Sequence, residues 1–92
     1  MLTIKAEVQK DRKRTDGTYN VKIRFTKDRT VKRISTVLFA TNTDLTADLK
    51  LKEESQIMQE ADRFVLRYRT LFNNLHLDSE NYDVHEIVIH LL

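Results

Sequence analysis

The sequence has no cysteine, no proline and one glycine, Gly17. Without cysteine there is neither a disulfide nor a thiolate metal site, which fits a reducing compartment. A lone glycine excludes the Gly-rich phosphate loops of the Rossmann and Walker types. The three histidines, His76, His85 and His90, all fall in the last fifth of the chain, and neither HExxH nor EF-hand spacing occurs. No metal, cofactor or small-molecule substrate is expected. No apolar run approaches the length of a membrane span, and "MLTIKAEVQK" lacks the apolar core of a signal peptide, so no membrane partner is expected either.

At 92 residues the chain makes one small domain of modest stability. The net charge of +2 conceals an asymmetry. Residues 1–40 hold eleven Lys/Arg against four Asp/Glu, a net +7, while residues 41–92 hold five against ten, a net −5. A basic half joined to an acidic half implies a basic face opposed to an acidic one.

The basic half alternates. In "LTIKAEVQ", residues 2–9, Leu2, Ile4, Ala6 and Val8 share one face, and Thr3, Lys5, Glu7 and Gln9 the other. "KDRKRTDGT" then reads as a long, mobile hairpin loop closed by Asp16-Gly17. "YNVKIRFT", residues 19–26, is a second strand, "KDR" a short turn, and "TVKRISTVLFA", residues 30–40, a third strand rich in β-branched residues. The third strand has two possible registers, one with Ile34, Thr36 and Leu38 inward and one with Val31, Val37 and Phe39 inward, and a bulge could serve both. The first is preferred, because it sends Arg33 and Ser35 out.

The period then changes. "TNTDL" reads as a helical turn capped by Asn42 or Thr43. From about Glu53 to Leu75 the residues Ile57, Ala61, Phe64, Val65, Tyr68, Leu71, Phe72 and Leu75 form one apolar helical stripe. Glu53 and Glu54 stand where the helix dipole favours anions. "LDSENY" breaks the pattern, and Asp83 and Glu86 open a terminal helix with Val84, Ile87, Val88 and Leu91 inward and Ile89 and Leu92 wet. A chain ending inside an apolar helix suggests a fragment of something longer. The expected fold is α+β: a three-stranded antiparallel sheet covered on one face by a long C-terminal helix, plus a short terminal helix.

One helix covers one sheet face, so the other is left for water or a partner. That face collects Lys5, Asn20, Lys22, Arg24, Arg33 and Ser35, bordered by the loop cations Arg12, Lys13, Arg14, Lys27 and Arg29. A narrow sheet fits the DNA major groove, where Arg, Lys and Asn read base edges, while loop cations suit phosphates. With Tyr19 and Phe25 inward the face is expected to carry no aromatic, which argues against single-strand binding. The plain alternative is a solvated strand face made basic for solubility and to block edge pairing. Arg63, Arg67 and Arg69 read as a solvated helix face, and His85 and His90 as surface residues. Asp78, Glu80 and Asp83 match no cation-loop spacing, and capping accounts for Asp83.

"KDRKRTDGTYNVKIRFTKDRTVKRIST" resembles the N-terminal arm-type DNA-binding domain of phage-integrase-like tyrosine recombinases carried by mobile elements. "DGTYNVKIRFT", residues 16–26, follows that family's second strand, and "DRTVKRISTVLFA" its third. Asn20 stands where the family has proline, and Val37 where it has glycine, a change that would remove a bulge. The resemblance implies residues 1–75 as the arm-binding domain and residues 76–92 as a linker and the start of the next, core-binding, domain. It implies sequence-specific, non-catalytic binding of duplex DNA at arm-type sites through Lys22, Arg24 and the Arg33–Ser35 stretch. It also implies a bacterial, nucleoid-associated cytoplasmic setting, with neighbouring recombinase protomers as a second candidate partner. The family's catalytic arginine, His-x-x-Arg pair and tyrosine nucleophile belong to a later domain. His-x-x-Arg does not occur here, and Tyr19, Tyr68 and Tyr82 read as core or boundary aromatics. A double-stranded RNA binder and a protein-interaction module are the competing expectations.

Overall fold

The computed structural model describes residues 2–75 and 82–91. Alternation sets the sheet. β1 (Thr3–Glu7), β2 (Tyr19–Lys27) and β3 (Thr30–Ala40) pair antiparallel in the order β1-β2-β3. β2 has the clearest pattern, with Tyr19, Val21, Ile23, Phe25 and Lys27 buried and the residues between them half-buried. Asp28 and Arg29 make the two-residue β2–β3 turn, both with positive φ (50° and 66°), a twist that suits a tight hairpin.

β3 adopts the register with Ile34, Thr36, Leu38 and Ala40 turned inward. Asn20 lies opposite Phe39 and Lys22 opposite Ser35, so β3 carries extra residues there and a bulge forms with Val37 in the strand. Side chains supply what the ladder loses. Thr36 Oγ1 donates to the Val21 carbonyl (2.7 Å) and accepts from the Leu38 N–H (3.1 Å). The Asn20 amide donates to the Thr36 and Leu38 carbonyls (2.8 and 3.1 Å). No residue of β3 has positive φ, so the bulge does not require glycine.

A 3-10 turn at Asn42–Asp44 follows Thr41, whose N–H donates to the Asp44 carboxylate (2.9 Å). α1 spans Gln56–Leu75, later than the expected start, because Ser55 caps it: its Oγ accepts from the Met58 N–H (3.0 Å). Glu53 and Glu54 therefore lie in the turn before the helix rather than in its first turn. Ala61 and Val65 are buried, and Phe64, Tyr68 and Phe72 pack against the sheet; Leu71 is exposed, and the side chain of Leu75 lies outside the described set. Tyr68 meets Phe25 edge to face, with ring centroids 5.4 Å apart.

α2 (Val84–Leu91) opens on the expected box, Asp83 Oδ1 accepting from the Glu86 N–H (2.9 Å) and Glu86 Oε1 from the Asp83 N–H (3.3 Å). α2 packs into the same core as the sheet and α1. Val84, Ile87, Val88 and Leu91 are buried in one cluster with Ile4, Ile23, Phe25 and Val65, so both helices cover the same face of the sheet. Ile89 is 71% exposed as expected, and Leu92, Asp78 and Glu80 lie outside the described residues. Among the described residues no helix is long and apolar enough to cross a membrane.

If α2 belongs to this core, Ile87→Ala should cost about 2–4 kcal/mol in urea unfolding, whereas Ile89→Ala should change little. Equal, small effects at both positions would mean that α2 is dispensable to the fold.

Candidate nucleic-acid interface

With both helices on one side, the opposite face of the sheet is left open. Antiparallel pairing sets Lys5 beside Arg24, Glu7 beside Lys22, Arg24 beside Arg33 and Lys22 beside Ser35. Lys5, Lys22, Arg24, Arg33 and Ser35 thus come together on the face as expected. Two arginines directly opposite one another are unfavourable unless a counter-charge intervenes. Glu7 intervenes. Its Oε1 lies 2.9 Å from Arg24 Nη1, and its Oε2 accepts from Arg33 Nε at 2.6 Å. Each guanidinium has five N–H donors, and Glu7 takes one from each. The clamp fixes both forks while leaving most of their donors uncommitted to it. Arg24 Nε is buried, while 33% of the side chain stays exposed.

Glu7's part was missed in the sequence. The signal was present, since Glu7 alternates with Lys5 and antiparallel pairing brings it among the cations. Phe39 is a second omission and corrects the expectation of a face without aromatics. Once Ile34 turns inward, Phe39 must turn outward; it is 38% exposed, and the Arg14 guanidinium lies over its ring, 4.5 Å from the centroid. Val37 also lies on this face and is 80% exposed.

The loop carrying Arg12, Lys13 and Arg14 is tied by its own hydrogen bonds. Arg12 N–H donates to the Gln9 carbonyl (3.0 Å), Arg14 N–H to Thr18 (2.8 Å) and Gly17 N–H to Arg14 (3.0 Å), while Lys13 bridges to Tyr19. Gly17 supplies the positive φ of 87°. Asp16 accepts from the Thr18 hydroxyl (2.6 Å) and N–H (3.0 Å), which hold its carboxyl below the usual carboxylate range. The three cations remain exposed at the margin of the face, on a folded loop rather than a slack one.

Two expected site residues have other duties. Lys27 is only 6% exposed. It falls on the covered side of β2, where its ammonium donates to the Tyr82 carbonyl and lies 3.9 Å from the Asp28 carboxylate. It is a buried tie between the β2 end and the approach to α2, not a loop cation. Asn20 lies toward the open face, but both its N–H donors are spent on the bulge. Arg29 stays exposed at the tip of the β2–β3 turn.

Elsewhere, Arg69 Nη2 donates to the Ile4 carbonyl (3.1 Å), so this helix arginine braces the sheet, while Arg63 and Arg67 are exposed. His85 and His90 are exposed, His90 standing edge to face with Tyr82. Among the described residues no group of three His, Asp or Glu side chains converges as a metal site would require. Comparison with family models, with curated proteins and with solved structures finds no match to this chain.

The clamp makes a stability prediction. Glu7→Gln leaves Arg24 and Arg33 opposed without a counter-charge and should destabilise the fold by about 0.5–1 kcal/mol at low salt. The loss should shrink as salt screens the repulsion. Urea midpoints of wild type and variant at two salt concentrations measure it.

Proposed function

We propose that this chain binds duplex DNA in a sequence-specific, non-catalytic manner through the open sheet face. The observation that carries the reading is the face itself: Lys5, Lys22, Arg24 and Arg33 against the single carboxylate of Glu7, which both arginines already engage. Three strands spaced about 4.8 Å apart are roughly 10 Å across between outer backbones, which suits a major groove about 12 Å wide. Arg24, on the central strand, meets the deepest point of such a groove. Arg33 and Ser35 lie beside it, and Arg12, Lys13, Arg14 and Arg29 lie at the margins, where backbone phosphates would run. The resemblance of residues 10–40 to arm-type domains supports the same reading. It extends it to a role within a bacterial site-specific recombinase, holding arm-type sites while another domain performs the chemistry.

Phe39 under Arg14 favours a second reading, single-stranded nucleic acid, because an exposed ring is a stacking platform. Proteins that bind by stacking present several such rings, and this face presents one. Duplex RNA is the weaker fit, since its deep, narrow major groove does not admit a sheet.

Binding to a randomised duplex library, with competition by single strands and by RNA duplexes, tests the reading. DNA binding should show a log–log salt slope of about −4 to −5, corresponding to roughly five phosphate contacts. Arg24→Ala should cost about 1–3 kcal/mol on the enriched sequence and much less on scrambled DNA, whereas Arg12→Ala should weaken both alike. Absence of duplex binding at ~50 mM salt would overturn the proposal.

A further inference from the structure

A cleft of about 500 Å³ opens at the β1 edge of the sheet, away from the centre of the open face. Four cations line it: Lys5, Lys10, Arg24 and Lys50. Its one lining carboxylate is Glu7, which is already engaged by Arg24 and Arg33. The remaining wall is largely apolar, including Leu49, Leu51 and Met58. A concave site with one sign of charge and low-dielectric walls concentrates the field and selects anions. Lysine ammoniums, compact point charges with three donors each, suit phosphate oxygens.

Lys50 arrives there by construction. Residues 45–51 close on themselves: the Thr46 N–H donates to the Lys50 carbonyl (2.8 Å), the Lys50 N–H donates to Thr46 Oγ1 (3.2 Å), and Leu45 bridges to Leu51. Leu49 takes a φ of 59°, a left-handed conformation that a leucine adopts only against a penalty. Its half-buried side chain packs into the core with Val8, Val21 and Leu45. This anchored, strained turn places Lys50 at the cleft. Nothing in the alternation of the strands points to Lys10 or Lys50 as partners, because the loop brings them together.

We propose that this cleft is a phosphate-binding site. Lys5, Lys10 and Lys50 hold one phosphate group there, at the border of the face that Arg24 centres. Resting on the duplex-DNA reading, the group is a phosphodiester of the strand that borders the groove, because Lys5 and Arg24 belong to both the cleft and the open face. A free phosphate compound offers the same chemistry, and the experiment separates the two.

Amide chemical shifts of the whole chain are followed during titration with a short duplex and, separately, with inorganic phosphate. Salt-dependent duplex binding is measured for wild type and for the double variant Lys10→Ala/Lys50→Ala, after its unfolding midpoint has confirmed the fold. The duplex should shift the amides of residues 5–10 and 49–51 together with those of the open face. The double variant should reduce the salt slope by about 2 and weaken cognate and scrambled duplexes by the same factor. If the duplex shifts only open-face amides and the double variant keeps the wild-type slope, the cleft assignment falls and the DNA reading stands. If no duplex binds but inorganic phosphate shifts the cleft amides, the site stands as one for free phosphate compounds and the DNA reading falls. If neither ligand moves the cleft amides, the site is overturned.

Discussion

A three-stranded sheet with one apolar face can be covered from one side only, and the whole molecule is arranged around that limit. Val21, Ile23 and Phe25 on β2 draw α1 and α2 to the same side. Neither helix could be moved to the other face without leaving Ile23 and Phe25 in water, at roughly 1.5–3 kcal/mol each. The open face therefore results from the core, and its chemistry was free to specialise. In a domain this small the core has little excess stability, so α2 is a sizeable part of it. Lys27 shows the same economy. Its long stem is buried at the end of β2, and its ammonium finds the backbone of Tyr82 instead of solvent.

Concentrating cations on one face has a cost that Glu7 offsets. Arg24 and Arg33 are opposed across β2 and β3, and Glu7 of β1 supplies the carboxylate between them. The three strands are thereby joined by side chains as well as by their ladders. The arrangement is partly exposed, so its contribution to stability is small and screened by salt. Its larger effect is on geometry, since a guanidinium held by a carboxylate presents its remaining donors in one orientation.

Most of the architecture was legible in the sequence, and the misses share a cause. The strands of residues 2–9, 19–26 and 30–40 and the stripe from Ile57 to Phe72 are local periodicities, and local periodicity is what a single sequence displays. Ser55 displaced the expected helix start because capping is decided by one hydroxyl, not by the stripe. Glu7, Phe39 and Lys27 were harder. The role of each depends on which residue lies across from it, and that depends on register. Phe39 faces out only once the third strand is fixed with Ile34 inward. Asn20 looked like a base-reading amide, but the bulge beside it consumes its donors, and the bulge follows from two residues of slack in β3. The packing of α2 was missed for a different reason: its apolar stripe says that it is covered, not by what.

The cations of the open face fall into two physical kinds, and the difference bears on what each can do. Arg24 and Arg33 are held by Glu7. Lys5 and Lys22 have no comparable brace among the described contacts. Immobilising a long side chain on binding costs about 0.5–1.5 kcal/mol, and a side chain already held has lost part of that freedom in the free protein. Braced arginines therefore suit contacts that depend on direction, such as a fork aimed at a base edge. Unbraced lysines suit contacts that depend only on proximity, such as a phosphate. The division of labour proposed for the face then follows from its internal contacts as well as from the position of each residue in the groove. Loss of Glu7 would leave the charge of the arginines intact and remove their direction, so on the proposed DNA-binding reading discrimination between sequences would suffer more than affinity for DNA at large.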